Sequence, residues 1–235
     1  MFIYEVKKYF RDIEFLYFPK TSMVVIENAT FAGRVWTLEE LGKIKSFAEE
    51  KKMHLHVDGA RIFNALCYYQ MKPEDFGIYF DSMAICLSKG LCCPCGSVLL
   101  GSKEFIKRAR VIRKRLGGGL RQVGMIGAAG LYALEKIYPE IIDRDNQMAF
   151  RLGELLKEIP EITVDMASIQ INMVNFDFKQ EIDYRQYEEA LREGGVLISS
   201  YNPELKRYRV VTHSVIGVEE CKKFVDLTKQ FLKTL

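Results

Sequence analysis

The sequence predicts an α/β protein, a mostly parallel sheet with helices on both faces, followed by a small C-terminal α+β domain. Three observations predict it. Short strand-like runs alternate with helix-like periodicity between residues 21 and 102, and the pattern changes in kind near residue 145. The 235 residues, 49% of them hydrophobic and 28% charged, suffice for one large domain or a domain and a half with a sizeable core.

The elements follow in order. "TSMVVIEN" (21–28) reads as a buried strand, and the next segment, "TLEELGKIKSFAEEKK", sets Leu38, Leu41, Ile44, Phe47 and Ala48 on one helical face. Thr37 with Glu40 forms a capping box, which fixes where that helix starts. The strand "HLHVD", the helix-like "ARIFNALCYY", the strand "DSMAICL" (81–87) and the strand "SVLLGS" complete the alternation. Such alternation argues for a mostly parallel sheet, in which ligands gather at the carboxyl ends of the strands. From Ser102 the chain turns helical through "KEFIKRARVIRKRL", pauses at "GGGLRQ", and resumes through "VGMIGAAGLYALEKIYPEI" into "DNQMAFRLGELLKEIP". "IQINMVNFDF", "DYRQYEEALREGG", "VLISSY", "RYRVVTHSVI" and "GVEECKKFVDLTKQFLKTL" then read as strand, helix, strand, strand, helix. Residues 1–144 are thus assigned to a large domain and 145–235 to a small one.

Charge excludes little by itself. With 34 basic against 31 acidic side chains and a net charge of +3, no nucleic-acid partner is indicated, and the cations of "KRARVIRKR" are scattered around a helix axis. No apolar run approaches the roughly 20 residues that cross a bilayer. The opening "MFIYEVKKYFRDIEF" carries charges where a signal peptide needs an apolar core, so a cytoplasmic protein is expected. Three of six cysteines crowd into "LCCPCGS" (Cys92, Cys93, Cys95), which suits reduced thiols better than a disulfide framework. In that compartment the sequon "NAT" at Asn28 has no meaning.

Alternate residues of a strand share a face, so His54, His56 and Asp58 point one way. Two readings follow. One is an H-x-H metal pair with Asp58 as third ligand, the site of a metal-dependent hydrolase; only His213 is then left to extend it. The other is a buried strand whose histidines are satisfied by neighbours. No metal is expected, and small apolar packing accounts for Cys86 and the cysteine group. A more specific pairing joins Asp58, at the end of one strand, to Lys89, at the end of the next, 31 residues on and about one strand-helix-strand unit away. A lysine and a carboxylate at one sheet edge are what pyridoxal phosphate chemistry requires: the lysine holds the aldehyde as a Schiff base, and the carboxylate keeps the pyridine nitrogen protonated.

The segments "HLHVDGARIFNA", "ICLSKGL", "GSVLLGS", "RKRLGGGLRQVGMIGAAGLYAL" and "YRVVTHSV", in this order, closely resemble threonine aldolases of the pyridoxal-phosphate-dependent β-eliminating lyase family. The resemblance covers residues 15–235 and implies a fold-type-I architecture of transferase-like topology. It implies that Asp58 pairs with the pyridine nitrogen, that Lys89 is the catalytic lysine, and that Arg61 and Arg209 hold the amino-acid carboxylate through bidentate charged hydrogen bonds. It further implies that Arg121 stands near the cofactor phosphate. The three glycines before Arg121 either let backbone approach an anion or make a plain interhelical turn. The implied reaction is aldol cleavage of a β-hydroxy-α-amino acid, threonine or allo-threonine, to glycine and an aldehyde, in a homodimer or homotetramer.

Two departures from the family stand out. The family has a long segment before the "IEN" strand, including a phosphate-cradling loop and a ring-covering side chain, where this chain has about 25 residues. An incomplete sheet with an exposed edge is therefore expected, dependent on a second chain for the missing segment or prone to aggregation. In "IENATFAGRV", Thr30 or its neighbour stands where the family places a histidine, and a threonine is no base near neutral pH. Loss of a positioned base costs about 10² to 10⁴ in rate. Slow cleavage is the consequence, with a non-catalytic remnant or interaction protein that keeps the fold as the alternative.

Overall fold

The structure, a computed structural model, describes residues 2–11, 16–198, 201–202 and 204–235. The chain divides into two compact units, Met1–Ala29 with Val35–Lys136, and Thr30–Arg34 with Ile137–Leu235.

The first unit contains α1 (Phe2–Tyr9), β1 (Met23–Glu27), α2 (Leu38–Glu50), β2 (His54–Gly59), α3 (Ile62–Tyr69), α4 (Pro73–Gly77), β3 (Ser82–Cys86), β4 (Ser97–Gly101), α5 (Lys103–Arg115) and α6 (Gly124–Lys136). Its sheet runs β1-β2-β3-β4, with the first three strands parallel and β4 antiparallel. Helices cover both faces, as the alternation predicts. On one face Val24, Ile26, Leu55 and Val57 are buried, and α2 presents buried Leu41, Ile44, Phe47 and Ala48. Leu38 does not join them: as the first helical residue it stands clear of the sheet, 36% exposed. The capping box forms as expected, with Glu40 N donating to Thr37 Oγ1 at 3.2 Å and Thr37 N donating to Glu40 Oε2 at 2.9 Å. On the opposite face α5 stacks Phe105 on His54, ring centroids 5.3 Å apart. β1 is an edge strand whose Met23 and Val25 are exposed.

The second unit contains α7 (Glu140–Lys157), β5 (Ile162–Val164), β6 (Met173–Phe178), α8 (Tyr184–Glu193), β7 (Tyr201–Asn202), β8 (Arg207–Val211) and α9 (Val218–Leu232). Its antiparallel sheet is ordered β5-β6-β8-β7. The strand expected at "VLISSY" is the two-residue β7, and its Ser199 and Ser200 lie outside the described residues. The boundary expected near residue 145 falls inside α7, whose buried Ile142, Ala149, Leu152 and Leu156 mark one continuous packing face. Residues 30–34 join this unit because Asn175 Nδ2 donates to the Ala32 carbonyl at 2.8 Å and Arg209 to the Phe31 carbonyl at 3.0 Å. Phe176 anchors the core, stacked on Tyr208 with centroids 5.3 Å apart, and the buried Tyr187 hydroxyl is satisfied by Thr228 Oγ1 at 2.8 Å.

Among the described residues, a buried carboxylate of this unit is poorly satisfied. Asp145 is fully buried and, among the described residues, neither carboxylate oxygen has a hydrogen-bond partner; Arg144 approaches only to 3.8 Å. Burial lifts its carboxyl from 3.8 to about 6, against the pull of Arg144 and His213. Between those two values the folded chain holds a proton that the unfolded chain has released. The stability this group contributes is therefore fully present at acid pH and lost as pH rises through about 6. Asp145→Asn is expected to remove that slope and to stabilise the chain at pH 7 by about 1–3 kcal/mol, read by urea unfolding across pH.

Candidate active site

Parallel pairing sends the carboxyl ends of β1, β2 and β3 to one edge of the first unit's sheet. Asp58 lies at that edge, paired in register with Glu27 and Ala84. Its carboxylate is exposed, and Oδ1 accepts the Ala60 N–H at 3.1 Å, a local turn that carries the chain toward α3. Gly59 lets β2 lie close to β3, since a Cβ there would come within 3.0 Å of the Ala84 carbonyl oxygen. Arg61 is the half-buried N-cap residue of α3. Lys89 is exposed, three residues beyond β3, and its carbonyl accepts the Cys92 N–H at 2.9 Å. Adjoining strands run about 4.8 Å apart; Asp58 and Arg61 come from the end of β2, and Lys89 follows the end of its parallel neighbour β3.

The other two arginines are carried by other elements. Arg121 is exposed between α5 and α6, after a turn in which Gly117 adopts φ +81°, a conformation that glycine takes without strain. Arg209 is in β8 of the second unit, with its guanidinium 3.9 Å from the centroid of the Phe31 ring and bonded to the Phe31 carbonyl.

His54 and His56 share one partner. Ser82 Oγ lies 2.7 Å from His54 Nε2 and 2.7 Å from His56 Nδ1, across the β2–β3 pair. Among the described residues no group of three or more His, Cys, Asp or Glu side chains is gathered as a metal site would be. The Ser82 hydroxyl and the stacked Phe105 ring are the polar and apolar neighbours of this half-buried histidine pair. Burial holds His56 below its ordinary pKa, helped by the neighbouring His54 and opposed by Asp58.

Sequence reasoning gave no role to the cluster after β1. Asn28 is fully buried; its Oδ1 accepts the Trp36 N–H at 3.4 Å and its Nδ2 donates to the Tyr69 hydroxyl at 3.4 Å. That hydroxyl in turn donates to the Trp36 carbonyl, while Trp36 Nε1 donates to the Glu27 carbonyl at 2.8 Å. The sequence signal for it was an asparagine just past β1, next to Glu27. Thr30 Oγ1 accepts the Arg34 N–H at 3.2 Å and closes a turn.

The sequence profile of the β-eliminating lyases matches residues 1–179, most of the chain. The chain belongs to the β-eliminating lyase family. Within it, 223 residues are 33% identical to low-specificity L-threonine aldolase 1 of Arabidopsis thaliana, covering 93% of this chain and 62% of the relative. The low specificity L-threonine aldolase of Escherichia coli K12 is 36% identical over 217 residues, 92% of this chain and 62% of that one. The chain therefore spans about six tenths of the length of those relatives. The crystal structure of a putative L-allo-threonine aldolase from Listeria monocytogenes superposes with a TM-score of 0.78 at 23% identity, covering 97% of this chain and 64% of that one. The chain thus has the expected α/β fold, a mixed sheet covered on both faces. Among the described residues no helix is long and apolar enough to cross a membrane.

The histidine pair yields a pH signature. In the unfolded chain His56 takes up its proton near 6.5, before the folded site does, so stability falls as pH drops through 6.5. NMR titration of the ring is expected to give a midpoint below 6.5 for His56, and His56→Gln is expected to flatten the acid-side loss of stability.

Proposed function

We propose that this β-eliminating lyase cleaves β-hydroxy-α-amino acids of the threonine and allo-threonine type to glycine and an aldehyde, using pyridoxal phosphate. The observation that carries the reading is the placement of Asp58 and Lys89 after adjoining parallel strands, at one sheet edge. Both side chains suit the cofactor. The Asp58 carboxylate is exposed and keeps acceptor capacity beyond its one bond to Ala60, and the Lys89 amine is exposed, with no ion pair among the described residues. When bound, pyridoxal phosphate supplies an aldehyde for an amine and an electron-accepting ring.

The chain's own residues do the rest. With the cofactor bound, Asp58 would hold the pyridine nitrogen and keep it charged, and Lys89 Nζ would hold the aldehyde and be the amine placed to move a proton at the substrate's Cα. Arg61 and Arg209 are the forks for the substrate carboxylate, and Arg121 is the cation for the phosphate. Because the Thr30 hydroxyl is tied to backbone and no histidine stands there, the β-hydroxyl proton lacks a strong base and turnover is slow. The same observation favours a second reading, a fold-retaining protein without activity. The reading extends to a homodimer or homotetramer, and to a cytoplasmic setting supported by six cysteines that are all thiols.

The test uses purified protein with added cofactor. Borohydride is expected to fix one cofactor on Lys89, seen as a mass increment on its peptide, and Lys89→Ala is expected to lose it. Asp58→Ala is expected to retain the adduct but lower threonine cleavage by about 10² or more. No adduct at saturating cofactor would sink the enzyme reading, and an adduct without any aldehyde release would favour the inactive one.

A further inference from the structure

The loop between β3 and β4 carries three cysteines beside Lys89, and Cys86 closes the strand before it. All four are thiols, with Cys92 and Cys95 exposed, Cys86 half-buried and Cys93 buried. The stretch Cys92-Cys93-Pro94-Cys95 has the C-x-x-C spacing, in which thiols are within reach of each other when the chain folds back.

Here the chain does fold back. The Leu87 N–H donates to the Gly96 carbonyl at 3.0 Å, and the Leu87 carbonyl accepts the Cys93 N–H at 3.0 Å. One residue therefore pins both ends of 93–96, and the segment between bulges outward with Pro94 and Cys95 exposed at its tip. Cys92 enters the bulge from left-handed backbone, φ +57°, a conformation unfavourable for a non-glycine residue. Cys93 senses the surrounding sulfurs: burial raises its thiol pKa most, and Cys92, Cys86 and Cys95 raise it further. A disulfide needs Cα atoms about 4.4–6.8 Å apart, a span that three peptide links reach only when the chain turns between them.

We propose that Cys92 and Cys95 form a reversible dithiol–disulfide pair that exchanges with small disulfides of the glutathione class and thereby changes the setting of Lys89. The Cys92 thiolate attacks one sulfur of the small disulfide, forming a mixed disulfide and expelling one thiolate. The Cys95 thiolate then attacks the Cys92 sulfur and expels the second. The protein loses two thiol hydrogens and two electrons, and the small disulfide becomes two thiols. Cys93 is excluded by burial, and the Cys86 sulfur lies on the strand against Ser88 Oγ at 3.5 Å. The coupling to Lys89 runs through the Cys92 N–H, which holds the Lys89 carbonyl at 2.9 Å; closing the ring fixes the backbone at that donor. Its functional meaning rests on the role given to Lys89 above.

Full-length protein equilibrated in buffers of oxidised and reduced glutathione, then alkylated and digested, tests this without cofactor. The expected product is a peptide linked between Cys92 and Cys95, lost in Cys92→Ser and in Cys95→Ser and kept in Cys93→Ala. Acylation of Lys89 by a water-soluble ester, followed on the same peptides, is expected to differ severalfold between the oxidised and reduced forms. Cys92 and Cys95 still alkylated in the most oxidising buffer, a link to Cys86 or Cys93 instead, or equal Lys89 acylation in both forms would each overturn the proposal. A chain that forms the link but binds no pyridoxal phosphate would fail the proposed function and leave this pair standing.

Discussion

Parallel pairing of β2 with β3 is the constraint on which the rest depends. Two strands that run the same way must end at the same edge, and the crossover through α3 and α4 is what allows it. Had the pair been antiparallel, Asp58 and Lys89 would stand at opposite ends of the sheet. Gly59 eases the arrangement, since a Cβ there would meet the Ala84 carbonyl oxygen at a tight 3.0 Å. The antiparallel return of β4 then holds the Lys89 loop at both ends, so its amine is carried by a tethered hairpin and not by a loose connection.

The two-residue period of β2 divides its labour between faces. Leu55 and Val57 are buried beneath helices, while His54, His56 and Asp58 face the other way. A polar row on a sheet face needs partners, and a single serine serves both histidines. Ser82 is itself buried, which explains why a small hydroxyl residue, and not an aliphatic one, opens β3.

Much of this was legible in the sequence because local signals agreed. The capping box at Thr37, the alternation of β2 and the apolar stripe of α2 each named an element that the structure contains, and the collinear segments around Asp58 and Lys89 named the family. What escaped was non-local. The bond from Arg209 to Phe31 joins residues 178 apart, and that bond is part of why 30–34 packs with the second unit. The unsatisfied burial of Asp145 has no sequence signal, since an acid at a helix position reads as solvated. Leu38 was misjudged for a simpler reason: periodicity gives the direction of a side chain but not whether a neighbour extends far enough to cover it.

Arg209 shows what neutral company does for a cation. Among the described residues its guanidinium touches an aromatic face and a peptide oxygen, and no acid. Those contacts aim the group while leaving its full positive field uncancelled. An incoming anion therefore does not have to evict a resident carboxylate, and the exchange amounts to turning a pre-aimed magnet toward a new pole.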